Sequence, residues 1–132
     1  MPSVRQTGRP RFTRVKVNAM RGTSQAFDVL GDPVRRRVLE ILADGERSAG
    51  GIVAAIHREF GISQAGVSQH LRVLRESGFA KVRTDGPRRL YSVGSRPLQE
   101  VDAWLAQFRG FWEQRLNRLT AEIARGKQER RK

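Results

Sequence analysis

The chain has 132 residues, enough for one domain with its own core and too few for two of comfortable size. It contains no cysteine, which excludes disulfides, zinc–thiolate sites and thiol catalysis. Lys and Arg total 26 against 13 Asp and Glu, a formal net charge of +13, and no apolar run is long enough to span a bilayer.

The charge sits mainly at the two ends. Residues 1–22 carry six basic groups and no acid, and residues 125–132 carry five basic groups and Glu129, so the ends hold ten of the thirteen net charges. Basic arms on a compact domain can neutralise phosphates. On charge alone, nucleic acid, an anionic membrane surface and simple solubility all stay open. Residues 1–22 mix Pro, Gly, Arg and Thr without periodicity and are expected to form a flexible arm. Pro2 and Pro10 oppose the long amphipathic helix of a transit peptide, and a start at Met20 is the third reading. With no secretory segment at its beginning, the chain is expected to be cytoplasmic.

From Ser24 the chain becomes periodic. "SQAFDVL" forms a first helix that stops at Gly31. "DPVRRRVLEILADG" follows, with Asp32 as N-cap and Pro33 at the first helical position, where its missing N–H costs nothing. Val34, Val38, Ile41 and Leu42 share one face, and Arg35, Arg36 and Arg37 lie largely on the other. Ser48 caps the third helix, which runs to Gly61; Gly50 and Gly51 weaken its first turn by about 1 kcal/mol each relative to Ala.

The fourth helix, "SQAGVSQHLRVLRESGF", has Ser63 as N-cap and Gly78 just past its end. At 100° per residue, Val67, Leu71 and Leu74 fall within about 60° of one another and form its buried stripe. Ala65, Ser68, Gln69 and Arg72 occupy the opposite face, which has no acid before Glu76. Gln can pair with adenine and Arg with guanine, small residues allow close approach, and Ser with the N-terminal N–H groups can hold phosphate. A polar surface helix that binds nothing is the alternative. His70 flanks the apolar stripe, either as a boundary residue or as a phosphate or base contact.

The period then changes to two. "AKVRT" and "RRLYSV", joined by "DGP", predict a β-hairpin whose Arg83, Arg88 and Arg89 can follow a DNA backbone or enter a minor groove. A solvated basic hairpin is the bland reading. From Arg96 and Pro97 to Arg125 runs a final helix of about 29 residues, on the order of 43 Å. Its apolar stripe includes Val101, Trp104, Leu105, Phe108, Phe111 and Trp112. Such a stripe exceeds what one small domain needs. It points to a two-fold dimer core shared with Phe27 and Leu30 of the first helix, or alternatively to a pocket for a small apolar effector.

Helices three and four, separated by "GIS" and followed by the hairpin, give helix-turn-helix spacing with a wing. The expected fold is therefore mainly α with a small β-hairpin, in a domain over residues 23–124 followed by a basic tail over 125–132. No nucleophile–base pair, paired carboxylates or phosphate-cradling glycine loop is visible, so no enzyme activity and no cofactor is expected. The two histidines, without cysteine, do not make a metal site.

"LGDPVRRRVLEIL" and "ISQAGVSQHLRVLRESGFAKVRTDGPRRLYSV" resemble the ArsR/SmtB-type winged-helix repressors of bacteria, over about residues 24–123. The ending "WLAQFRGFWEQRLNRL" is similar to the branch often encoded beside a lipid-binding-type or stress-related partner gene. The resemblance implies a homodimer that represses by occupying an operator in double-stranded DNA. It implies Ser63, Gln64, Ser68, Gln69, His70 and Arg72 as DNA-facing residues, with Arg88 and Arg89 on the wing. Two departures stand out. The cysteines of metal-sensing members are replaced here by "SAGGIVAAI", and the last helix has no His, which argues against metal sensing. The stretch from Ser48 to Ser63 is also about four residues longer than usual, one extra helical turn that bears on the tilt of the fourth helix.

Overall fold

The computed structural model describes the backbone over residues 14–131 and side chains over residues 22–128. Residues 1–13 of the expected arm and Lys132 of the basic tail lie outside the described residues. The elements are α1 (Arg14–Leu30), α2 (Pro33–Ala43), β1 (Arg47–Ser48), α3 (Ala49–Phe60), α4 (Gln64–Glu76), β2 (Ala80–Asp85), β3 (Arg88–Val93) and α5 (Ser95–Arg131). The chain divides into two compact units, residues 1–100 and 101–132.

Three local signals set the helix starts. Asp32 caps α2 by accepting from Val34 N–H at 2.8 Å and Arg35 N–H at 3.2 Å. Ser48 caps α3 through Gly51 N–H, and Ser63 caps α4 through Gly66 N–H. Each cap satisfies one or two of the N–H groups that a helix start leaves without partners. At the other end of α3, Gly61 adopts the left-handed conformation, and the His57 ring bonds the Ile62 carbonyl at 2.8 Å, which closes the turn into α4.

The core of the first unit gathers Val38 and Leu42 of α2, Ile52 and Ile56 of α3, Val67, Leu71 and Leu74 of α4, and Phe79, Leu90 and Tyr91 of the sheet. Fully burying each large side chain contributes roughly 1.5–3 kcal/mol. No described polar or charged residue is fully buried. Arg35 and Arg36, expected on the face away from the core, bond the last carbonyls of α1. Arg35 reaches Val29 O at 2.8 Å and Arg36 reaches Leu30 O at 2.6 Å. These cations sit where the negative end of the α1 dipole lies. Arg37 pairs with Glu59 of α3 through two hydrogen bonds, at 2.8 and 3.0 Å.

The hairpin is part of a three-stranded antiparallel sheet in the order β1–β3–β2, in which Arg47 pairs with Tyr91 and Ser48 with Leu90. Asp85 pairs with Arg88, so the connecting turn is Gly86–Pro87 rather than the three residues from Asp85 to Pro87. Gly86 has φ +63, and Pro fixes a negative φ at the next position, the sign pattern of a type II′ hairpin. Gly94 then passes so close to the α4–β2 connection that an added Cβ would strike the Gly78 carbonyl oxygen.

Three boundaries differ from the sequence expectation. Helix α1 begins at Arg14, not Ser24. Residues 14–23 contain no proline, and their Arg, Lys, Met and Ala favour helix even without a clear apolar stripe. Helix α5 continues six residues past Arg125, because nothing in "GKQERR" forces a stop. The two-residue strand β1 was not foreseen, since so short a segment shows no alternation.

Candidate nucleic-acid interface

Helix α4 presents the two faces that its period dictates. Val67, Leu71 and Leu74 are buried, whereas Gln64, Ala65, Ser68, Gln69 and Arg72 are exposed. Gln64, Ser68 and Gln69 make no side-chain hydrogen bond among the described residues, so their donors and acceptors face solvent. The Ser63 hydroxyl oxygen already accepts from Gly66 N–H at 3.2 Å. Arg72 donates from Nε to Glu76 Oε1 at 2.9 Å, an exposed pair one turn apart.

His70 is half-buried, and its Nδ1 is enclosed without a hydrogen-bond partner among the described residues. It lies within electrostatic reach of Asp32, the α2 cap. Burial acts to raise the Asp32 carboxyl. The Arg35 and Val34 N–H groups, with the charges of His70 and Arg35, outweigh that and hold it below its ordinary value.

The three wing arginines differ from one another. Arg83 is taken up by Glu46, Nε to Oε2 at 2.8 Å and Nη2 to Oε1 at 2.7 Å. The pair holds the Glu46 carboxyl below its ordinary value, chiefly through the Arg83 hydrogen bonds, which prevail over the opposing effect of desolvation with help from the charges of Arg83 and Arg88. Arg88 and Arg89 are exposed and form no ion pair among the described residues. Sequence reasoning missed Glu46, because no local pattern links it to a residue in β2. It also passed over Arg75, which lines a groove beside α4 together with Arg72 and Arg89.

Of the residues expected to form a dimer surface, Leu30 and Val101 are half-buried. Phe27, Trp104, Leu105, Phe108, Phe111 and Trp112 are exposed to between 36% and 59%, far more than a core residue. The Trp104 and Phe108 rings lie 4.8 Å apart at 55°, and the Arg115 guanidinium sits 4.2 Å from the centre of the Phe111 ring. No described helix is long and apolar enough to cross a membrane, and no three His, Asp or Glu side chains among the described residues cluster as metal ligands.

A family model described as "Helix-turn-helix domain" matches residues 30–83. The HTH-type transcriptional regulator Rv2034 of Mycobacterium tuberculosis is 30% identical over 92 residues, 70% of this chain and 82% of that protein. Rv0081 of the same organism is 32% identical over 78 residues, 59% of this chain, and the match spans 66% of the length of Rv0081. The transcriptional repressor SdpR of Bacillus subtilis is 29% identical over 85 residues, 64% of this chain and 90% of SdpR. Among solved structures, an ArsR family transcriptional regulator superposes with TM-score 0.59 at 27% identity, covering 70% of this chain and 92% of that one. The homodimeric winged helix-turn-helix DNA-binding domain of Mb0332 from Mycobacterium bovis matches with TM-score 0.57 at 21% identity, covering 80% and 91%. That likeness is one of fold.

Proposed function

The chain belongs to the ArsR-type family of helix-turn-helix transcriptional regulators, and on that premise we propose that it is a homodimeric repressor of transcription that binds a palindromic operator, its own promoter included. The observation that carries this reading is the solvent face of α4, where Gln64, Ala65, Ser68 and Gln69 form an acid-free surface backed by a fully buried stripe. Such a helix can enter a major groove, with the two amides reading base edges and Ser63 near the backbone. Arg88 and Arg89 extend the contact from the wing. Two copies would set their recognition helices about 34–36 Å apart, one turn of DNA. The repressor SdpR and the homodimeric Mb0332 domain lend support to the repressing role and to the dimer.

The test is a footprint on the DNA upstream of the protein's own coding sequence, followed by titration of the protected duplex and a scrambled copy of it. The proposal requires a protected palindrome that binds at least about 1000-fold more tightly than the scrambled duplex at physiological salt. Equal affinity for the two duplexes would overturn it in favour of a non-specific DNA-binding protein.

A further inference from the structure

A groove of about 750 Å³ runs between α3, α4 and strand β3. A second concavity of about 450 Å³ lies at the wing tip, beside Pro87 and Arg88. Ala49, Gly50 and Arg89 line both, so the two form one trough that passes from the wing tip, across the first turn of α3, to the middle of α4. The α3 side carries Ala49, Gly50, Val53, Ala54 and His57, the smallest of them in the first turn. The other side carries Gln64, Ser68, Leu71 and Arg75 from α4 with Arg89 and Tyr91 from β3, and neither Arg75 nor Arg89 is engaged in an ion pair among the described residues. Arg72 also lines the trough, held by Glu76.

No carboxylate lines either part of the trough. This contrasts with the groove on the other side of Arg75, where Glu76 and Glu100 stand among Lys81 and Arg96. An acid-free channel lined by three guanidiniums, with little more than backbone at the first turn of α3, suits a linear polyanion. The shape does not favour a compact ligand, which needs enclosure and convergent polar groups.

We propose that this trough seats one phosphodiester strand of the DNA duplex, with Arg75 and Arg89 as phosphate contacts and Gly50 as the point where the strand passes closest to the α3 backbone. The proposal rests on the DNA-binding reading above and extends it to Gly50 and Arg75. It assigns Arg75, towards the end of α4, to the backbone, and leaves base reading to Gln64 and Ser68, which line the trough nearer the start of α4, with Ala65 and Gln69. The open space at Gly50 follows from the same arrangement, since a Cβ there would meet no protein atom within 4 Å.

Two variants of the full chain test it, titrated against the protected operator duplex and its scrambled copy over a range of salt concentrations. Arg75→Gln should weaken both duplexes alike, by roughly tenfold, and lower the slope of log affinity against log salt by about 1. Gly50→Ala should raise the melting temperature of the free protein, because Ala is the better helix former and the site is open, while weakening both duplexes. A gain in stability with a loss of DNA affinity is not what a purely structural glycine would give. If either variant binds both duplexes as wild type does, the trough is not the strand seat. Gln69→Ala separates this result from the operator reading, because it should erode preference for the operator without changing the salt slope. If wild type shows no preference but Arg75→Gln still lowers the slope, the operator reading falls and the trough stands. If wild type binds neither duplex, both fall.

Discussion

Glu46, just before β1, and Arg83, in β2, are 37 residues apart in sequence and meet in a two-pronged ion pair across the central strand of the sheet. The pair ties the edge strand to the far strand of the wing, and it occupies a guanidinium that sequence reasoning assigned to DNA. Glu46→Gln should therefore have two effects. Amide exchange in β2 should quicken, and Arg83 should become available to phosphate, which would strengthen binding to any duplex at low salt. Exchange measured by NMR with a parallel DNA titration would decide; unchanged exchange would show that the pair does not brace the wing.

The same pair has a pH signature. The Glu46 carboxyl lies below its ordinary 4.5 in the folded chain. A depressed carboxylate contributes its stabilisation above the unfolded value and loses it as pH falls through the lower folded value. Slow exchange in β2 should hold from neutral pH down to about 4.5 and give way below it. In Glu46→Gln that step should be absent.

Arg72 and Glu76 form the second restraint on a cation of the proposed interface. Both side chains are exposed, so the pair adds little to stability. Glu76→Gln should leave the melting temperature nearly unchanged and free the guanidinium. Affinity for operator and scrambled duplexes should rise together, with a salt slope steeper by up to about 1. A melting temperature that fell by several degrees would mean that Glu76 has a structural role its exposure does not suggest.

Asp32 gives a prediction of a different kind, because it acts on the fold. Its side chain holds two N–H groups at the start of α2, the helix that carries Val38 and Leu42 into the core. Asp32→Ala should cost about 1 kcal/mol in a denaturant titration, and Asp32→Asn much less, since Asn caps nearly as well. An equal loss in both variants would shift the explanation from the cap to the charge facing His70.

The legible parts of this chain were those written within a few residues. Asp32, Ser48 and Ser63 announce helix starts because a cap acts on N–H groups two or three positions ahead. Val67, Leu71 and Leu74 announce a buried face because the helical period brings them together. Helix α4, the turn before it and the hairpin all followed from such signals. What escaped was set by tertiary contact. Strand β1 exists because Arg47 and Ser48 meet Tyr91 and Leu90 of β3, and its two residues have no pattern of their own. The Glu46 partner of Arg83 left no trace in the sequence, because it lies in another part of the chain. Arg75 carried no signal of its own in the sequence, and only the fold places it on a groove with Arg72 and Arg89.

The long helix α5 yields the last prediction. Leu105, Phe108, Trp112, Leu116, Leu119 and Ile123 recur at spacings of three and four, and each is between 36% and 58% exposed. A continuous apolar stripe of that length is uncommon on a monomer in water and marks a surface for association. The step of four from Trp112 to Leu116, directly after another step of four, interrupts a strict heptad and locally unwinds any supercoil the helices form. Leu116→Glu would place a carboxylate in the middle of the stripe without disturbing helix propensity. Sedimentation should show a dimer for wild type and a monomer, or a dimer weakened by at least about 100-fold, for the variant. Operator affinity should fall with it, because one recognition helix reads only half of a palindrome. The salt slope per protomer should stay the same, since the phosphate contacts of each copy are intact. A variant that remains dimeric and binds as wild type would exclude the α5 stripe as the dimer contact.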